Sequence, residues 1–322
     1  MSQKYLKLLK KNKYHLFYFF LVLILVITNY KWRTWLIGWD VIMPELGFKF
    51  NFSRFLHGSW LQFEGLGAFS IMQKTADMPR LLFLWLTSIF LPNSFLRYFY
   101  QFMMLFLGPL GVYYLLKNQL LPKESKRHFE FAFLGGLFYL LNLGTLQVFY
   151  TPLSMFSCMY GLLPWLIYFF LKYLESGKMK DLLVFSAVSL FATPLAVTTT
   201  NFIVYALIIF LFGLVEFFTK RRLKKLFTIG LAIFVINSYW LLPFINATFI
   251  GASGVIGSKI SYMSSEDSFA LNRQYGLISD VAVLRGFWFR NIDYFPDTGS
   301  FLRMLNAWAD YIGIILFTLL VF

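Results

Sequence analysis

Long apolar runs, each closed by a short basic loop, are the feature that most constrains this chain. Residues 16–27, 134–143 and 204–215 carry no charge, and they are too long and too uniformly apolar for alternating surface strands. A transmembrane β-barrel would show segments of about ten residues that alternate polar and apolar, and these do not. In hydrocarbon every backbone polar group must be paired within its own segment, which leaves helices. Composition agrees. Of 322 residues, 59% are apolar and 14% charged, where a soluble domain carries about a quarter charged. Aromatics reach 21%, more than one compact core needs but suited to helices whose outer faces meet lipid. The expected fold class is therefore all-α: a polytopic transmembrane helical protein.

The formal charge of +14 raises a nucleic-acid partner as one reading. Its distribution argues for the other, a topology signal. The clusters at 4–13, 117–127, 172–180 and 220–225 hold 17 of the 29 basic residues, all in short loops between apolar runs. No nucleic acid is expected. Hydrophobic segments fall at 15–30, 95–116, 129–147, 153–171, 181–197, 201–218, 226–245 and 307–322, about eight crossings. The segment 81–91 has eleven residues between Arg80 and Pro92, where spanning needs about 20. All four basic clusters share one side only if 79–116 crosses once, so 81–91 reads as an interfacial or re-entrant helix. The N-terminus is then cytoplasmic, with 16–28 a retained first helix rather than a cleaved signal. Two large external segments result, 31–94 and 246–306; with Asp310 near the start of the last helix they place ten of the 15 acidic residues outside, so the distinctive chemistry faces outward. The chain ends inside an apolar run, which predicts a transmembrane domain over 1–322 that is incomplete at its C-terminus. The single cysteine, Cys158, excludes an internal disulfide and a cysteine-based metal site.

The first external segment is dense in charge, aromatics and glycine. The helical spacing of Phe52, Phe55 and Leu56 predicts one or two interfacial helices there. Asp40, beside Trp39 at a membrane–water boundary, is the candidate general base, or with Glu45 a ligand of a divalent cation such as Mg or Mn that bridges a phosphate leaving group. No organic cofactor is expected. The competing reading makes Asp40 and Glu45 ordinary polar residues of an exposed loop. Arg54 suits bidentate phosphate binding or snorkelling from an interfacial helix. His57 and Trp60 are candidate ligand contacts, and Glu64 is either a ligand contact or a salt-bridge partner of Arg54 or Arg80. The second external segment, with Arg273 and Arg290 among its charged residues, reads either as a mobile lid over a substrate or as a structural ectodomain. Asn142, Thr145, Gln147 and Thr193-Pro194 read either as helix packing and termination or as part of a sugar-binding rim.

Several strings resemble a family. They are Gly38-Trp39-Asp40 with Pro44-Glu45, Arg54-Phe55-Leu56-His57-Gly58-Ser59-Trp60, and Gln62-Phe63-Glu64-Gly65-Leu66-Gly67. Leu96-Arg97-Tyr98-Phe99-Tyr100, Leu107-Gly108-Pro109-Leu110-Gly111 and the run 138–145 join them. Together they resemble bacterial membrane glycosyltransferases of the GT-C type, nearest to the N-terminal membrane domain of the α-(1→3)-arabinofuranosyltransferases. The resemblance implies a polyprenyl-phosphate-linked sugar donor, arabinofuranose among the candidates, and a cell-envelope glycan or glycolipid acceptor on the external side. It places the characteristic first-loop carboxylate on Asp40, with Glu45 a second acidic group, and it implies that Arg54, or Arg273 or Arg290 of the later segment, holds the phosphate. Two other classes stand beside it: a multipass transporter or flippase of envelope lipids, and a non-enzymatic membrane assembly or scaffold protein.

Overall fold

The computed structural model describes residues 13–37, 44–56, 72–150 and 152–256, with isolated positions 270, 273 and 284. The chain divides into two units, residues 1–140 with 152–249 and residues 141–151 with 250–322. Among the described residues the regular structure is entirely helical. The helices are α1 (Lys13–Asn29), α2 (Phe48–Leu56), α3 (Met78–Thr87), α4 (Asn93–Leu115), α5 (His128–Leu141), α6 (Leu143–Tyr150), α7 (Ser154–Ser176), α8 (Met179–Ala192), α9 (Thr199–Lys220) and α10 (Leu223–Ile256). Short 3-10 turns at Pro44–Leu46, Met72–Asp77 and Thr193–Val197 separate some of them.

Five stretches are long and apolar enough to cross a membrane: Asn93–Leu120, Ser154–Ser176, Met179–Val197, Thr199–Lys220 and Leu223–Phe249. A sixth is added if α5 and α6 count as one broken span. The 17 residues of α1 are equally apolar and rise about 25 Å. By contrast, the ten residues of α3 rise only about 15 Å, half the hydrocarbon thickness. The chain is a helical, membrane-embedded protein. The expected final crossing, 307–322, lies outside the described residues. The expected continuous helix over 129–147 is two helices instead. Asn142 interrupts it, and its Oδ1 accepts the Thr145 amide at 2.9 Å to cap the start of α6 in the second unit.

Side-chain pairings give the helix directions in the first unit. α1 runs antiparallel to α4: His15 Nε2 meets the Tyr114 hydroxyl at 2.8 Å, while Tyr30 packs on Phe95 and Tyr98 with ring centroids 5.1 and 5.0 Å apart. α5 rises beside them, with the Tyr18 hydroxyl donating to the Phe133 carbonyl at 2.6 Å. α4 and α7 are parallel, because Gln101 meets Ser157, Trp165 Nε1 donates to the Leu107 carbonyl at 2.9 Å, and Asn118 reaches Tyr168. α8 turns back along α7, and α9 pairs antiparallel with α10 through Phe202 on Trp240, 4.9 Å apart. Following these directions, Lys13 and the basic stretches 117–127, 172–180 and 220–225 all gather at one end of the unit. At that end Lys225 Nζ donates to the Leu174 and Glu175 carbonyls at 2.7 and 3.2 Å, closing the C-terminus of α7. Gly177 makes this possible, for it sits at φ 64° with Lys225 Cε 2.9 Å from where a Cβ would stand.

Glycine sets how closely the helices approach, as in other membrane bundles. At Gly136 a Cβ would lie 2.6 Å from the Pro109 carbonyl oxygen and press on the Tyr18 hydroxyl. Gly136→Ala is therefore expected to lower stability by about 1–3 kcal/mol through overpacking. At Gly230, on α10, a Cβ would meet nothing within 4 Å, so Gly230→Ala should hold or raise the melting temperature through helix propensity. Thermal unfolding of both variants in detergent checks the contrast.

Candidate functional site

At the end opposite the basic loops, four charged side chains are buried together. Arg97 opens α4 and is 2% exposed, while Glu45, in the turn that follows the Asp40 loop, is 1% exposed. Arg97 Nε stands 2.9 Å from Glu45 Oε1. Arg97 Nη1 also reaches the Leu36 carbonyl at 3.4 Å. One side chain on α4 thus holds the chain on both sides of the Asp40 loop.

The second pair is local. Asp77 ends its 3-10 turn and Arg80 lies in the first turn of α3, three residues on. Arg80 Nε and Nη2 donate to the two Asp77 oxygens at 2.7 and 2.5 Å, a bidentate fork. Arg80 Nη1 donates to Ser154 Oγ at 3.1 Å, and its guanidinium carbon lies 5.8 Å from the Tyr100 ring centroid. Burial pulls the Arg80 pKa down, but the Asp77 charge and its hydrogen bonds outweigh that, and the net direction is upward. Arg80 stays a cation.

Neutral groups join the charged ones to the bundle. Gln101, one turn along α4 from Arg97, donates to the Pro152 carbonyl at 3.2 Å and accepts a short hydrogen bond from Ser157. Thr193 Oγ1 lies 2.9 Å from the Ala76 carbonyl and 2.9 Å from the Tyr239 hydroxyl. Leu36, Glu45, Ala76 and Asp77 are thereby tied, directly or through Arg80, to α4, α7, α10 and the Thr193–Val197 turn. Thr193 serves packing here, the first of the two readings of the Thr193-Pro194 break.

The expected site residues fare differently. Asp40, His57, Trp60, Glu64 and Arg290 lie outside the described residues. Glu45 is described, and it is a buried ion-pair partner rather than a polar residue of an exposed loop. The physical reason is that Arg97, on an otherwise apolar helix, needs an anion once it is desolvated. Arg80, one expected partner of Glu64, is held by Asp77 and Ser154. Arg54 lies on α2 with its guanidinium carbon 5.7 Å from the Phe50 ring centroid, and Arg273 is exposed. Arg97 and Gln101 were not among the expected site residues. Their signal is in the sequence: an arginine and a glutamine four apart near the start of an apolar span are costly there unless they serve a site or a contact.

Among the described residues no three His, Cys, Asp or Glu side chains gather as a metal site. Glu45, the one described member of the expected Asp40–Glu45 pair, faces a guanidinium at 2.9 Å. A dication at that carboxylate would meet the Arg97 charge, so the Glu45 surroundings do not fit one, and no step below passes through a metal. No known family model matches the chain, and neither does any curated protein or solved structure compared with it.

Removing one partner of a buried ion pair strands the other charge. Arg97→Met is expected to destabilise by about 3–5 kcal/mol. Adding Glu45→Gln to it should recover most of that loss, since a neutral pair leaves no buried charge. Melting curves of the single and double variants in detergent read this directly, and an unchanged melting point for Arg97→Met would contradict it.

Proposed function

We propose that the chain is the membrane domain of a GT-C type glycosyltransferase. Its donor is a polyprenyl-phosphate-linked sugar, arabinofuranose foremost, and its acceptor is a cell-envelope glycan or glycolipid. The reading has eight crossings, a cytoplasmic N-terminus and the reacting centre at the extracytoplasmic end. It draws on the resemblance of the first-loop strings, and one observation carries it. The loop that bears Asp40 is bracketed by Leu36 and Glu45, and both are held by Arg97 at the end away from the basic loops. A catalytic carboxylate needs such a support, because small displacements from the reacting geometry are costly.

In this scheme Asp40 takes the proton of the acceptor hydroxyl as its oxygen attacks the anomeric carbon. The bond from that carbon to the phosphate oxygen breaks on the opposite face, and polyprenyl phosphate leaves with the electron pair. Configuration inverts. The leaving phosphate needs a cation, and Arg80 and Arg97 are already neutralised by Asp77 and Glu45. Arg54, Arg273 and Arg290 are the arginines proposed for it, with Trp39 and Trp60 offering aromatic faces to the sugar. His57 and Glu64, in the same stretch of sequence, are the further contacts proposed for the substrate.

A flippase of envelope lipids would use the same buried charges, since ionisable groups within apolar helices mark transport paths. Here they sit at the helix ends, Arg97 being the fifth residue of α4, rather than near the midplane where transporters place them.

Asp40→Asn in the full-length protein is expected to cut sugar transfer from labelled polyprenyl-phosphate donors about 100-fold or more while donor binding persists. Transfer near the wild-type rate would remove Asp40 from its role. Lipid translocation without transfer by the unaltered protein would favour the flippase.

A further inference from the structure

The turn between α9 and α10 combines two surfaces that a phospholipid needs. Its cations are unevenly paired. Glu216 takes Lys220 Nζ at 2.9 Å and Arg222 Nη1 at 3.1 Å, Asp181 takes Lys172 at 3.4 Å, and Lys225 is occupied by the α7 carbonyls. Arg221 and Lys224 are exposed and have no ion-pair partner among the described residues. Arg221 occupies the left-handed cap of α9, at φ 50°. Gly177 lies against Lys225, so exposed Lys178 and Lys180 join the same rim.

Directly below these cations the surface turns apolar. Phe218 is 75% and Phe227 73% exposed. Phe227 stands one turn along α10 from Lys224, on a shared helical face. Among the described spans α9 and α10 are also the least buried. A cationic rim with two exposed phenylalanines within a turn of it, at the end of lipid-facing helices, matches a headgroup above its acyl chains. A soluble acidic protein would match the rim alone and leave the phenylalanines uncovered.

We infer that the α9–α10 turn is a binding site for an anionic phospholipid. Arg221 and Lys224 hold the phosphate-bearing headgroup, Lys178 and Lys180 raise the local potential, and Phe218 and Phe227 receive the acyl chains. Basic residues at a membrane surface attract anionic lipid; here they are placed by a left-handed cap and an interhelical contact at one spot. The inference is independent of the catalytic proposal, because it needs only the helical bundle and its membrane.

The full-length protein reconstituted in nanodiscs of equal phosphatidylglycerol and phosphatidylcholine, then released into mild detergent, allows native mass spectrometry to count retained lipid. The unaltered protein is expected to keep phosphatidylglycerol in preference to phosphatidylcholine. Arg221→Gln with Lys224→Gln should lower that preference about tenfold. Lys123→Gln with Lys126→Gln, which removes the same charge from another exposed loop, should leave it near the unaltered ratio. Arg221→Lys with Lys224→Arg keeps the charge and should keep the lipid, which separates binding from folding defects. Absence of a preference in the unaltered protein, an equal fall in both glutamine doubles, or a retained peptide in place of lipid would each overturn the inference.

Discussion

Arg97 is desolvated where α4 begins, and a guanidinium in that position must be answered by an anion and by acceptor oxygens. Glu45 and the Leu36 carbonyl answer it. Because those two lie on either side of 38–43, the demand of one buried cation brings both flanks of that stretch to the start of α4. Arg80 repeats the device through Asp77 and Ser154, and Gln101 continues it to Pro152 and Ser157. Buried pairs of this kind add little net stability over apolar packing, but removing one partner is severe. Their effect is to specify where Leu36 and Glu45 sit against α4.

The parallel seam of α4 and α7 is what allows the cluster to form. Both helices begin at the same end, so Arg97, Gln101, Ser154 and Ser157 meet there. Glycines let them approach closely: a Cβ on Gly161 would stand 3.0 Å from Met104 Cα. Lower down, Trp165 closes on the Leu107 carbonyl. A parallel pair needs an intervening pass in the opposite direction, which α5 begins. The same alternation brings the basic stretches together at the far end, where Lys225 caps α7 and leaves Arg221 and Lys224 facing outward. The two ends of the unit thus differ in kind: buried, paired charges at one, exposed cations beside exposed phenylalanines at the other.

Much of this is legible in the residues. Apolar length and the absence of alternation demand helices in hydrocarbon, and the short basic loops mark helix ends that share a side. The eleven residues before Pro92 are too few for a crossing, and α3 is correspondingly short. Asn142 is visible as a polar residue in an apolar run, but whether it bonds a neighbouring helix or caps a new one depends on where Thr145 falls. The burial of Glu45 is hidden for a related reason: a loop carboxylate looks solvated until its partner is known, and Arg97 lies 52 positions away.

By itself the sequence determined the helical class, the approximate spans and which loops carry positive charge, since these follow from hydropathy and charge along the chain. Only the tertiary structure decided which helices run side by side, that Glu45 is buried against Arg97 and Asp77 against Arg80, and that Gly177 lies beneath Lys225. Most of those outcomes join residues far apart in the chain. Packing geometry selects them, and no local pattern records it.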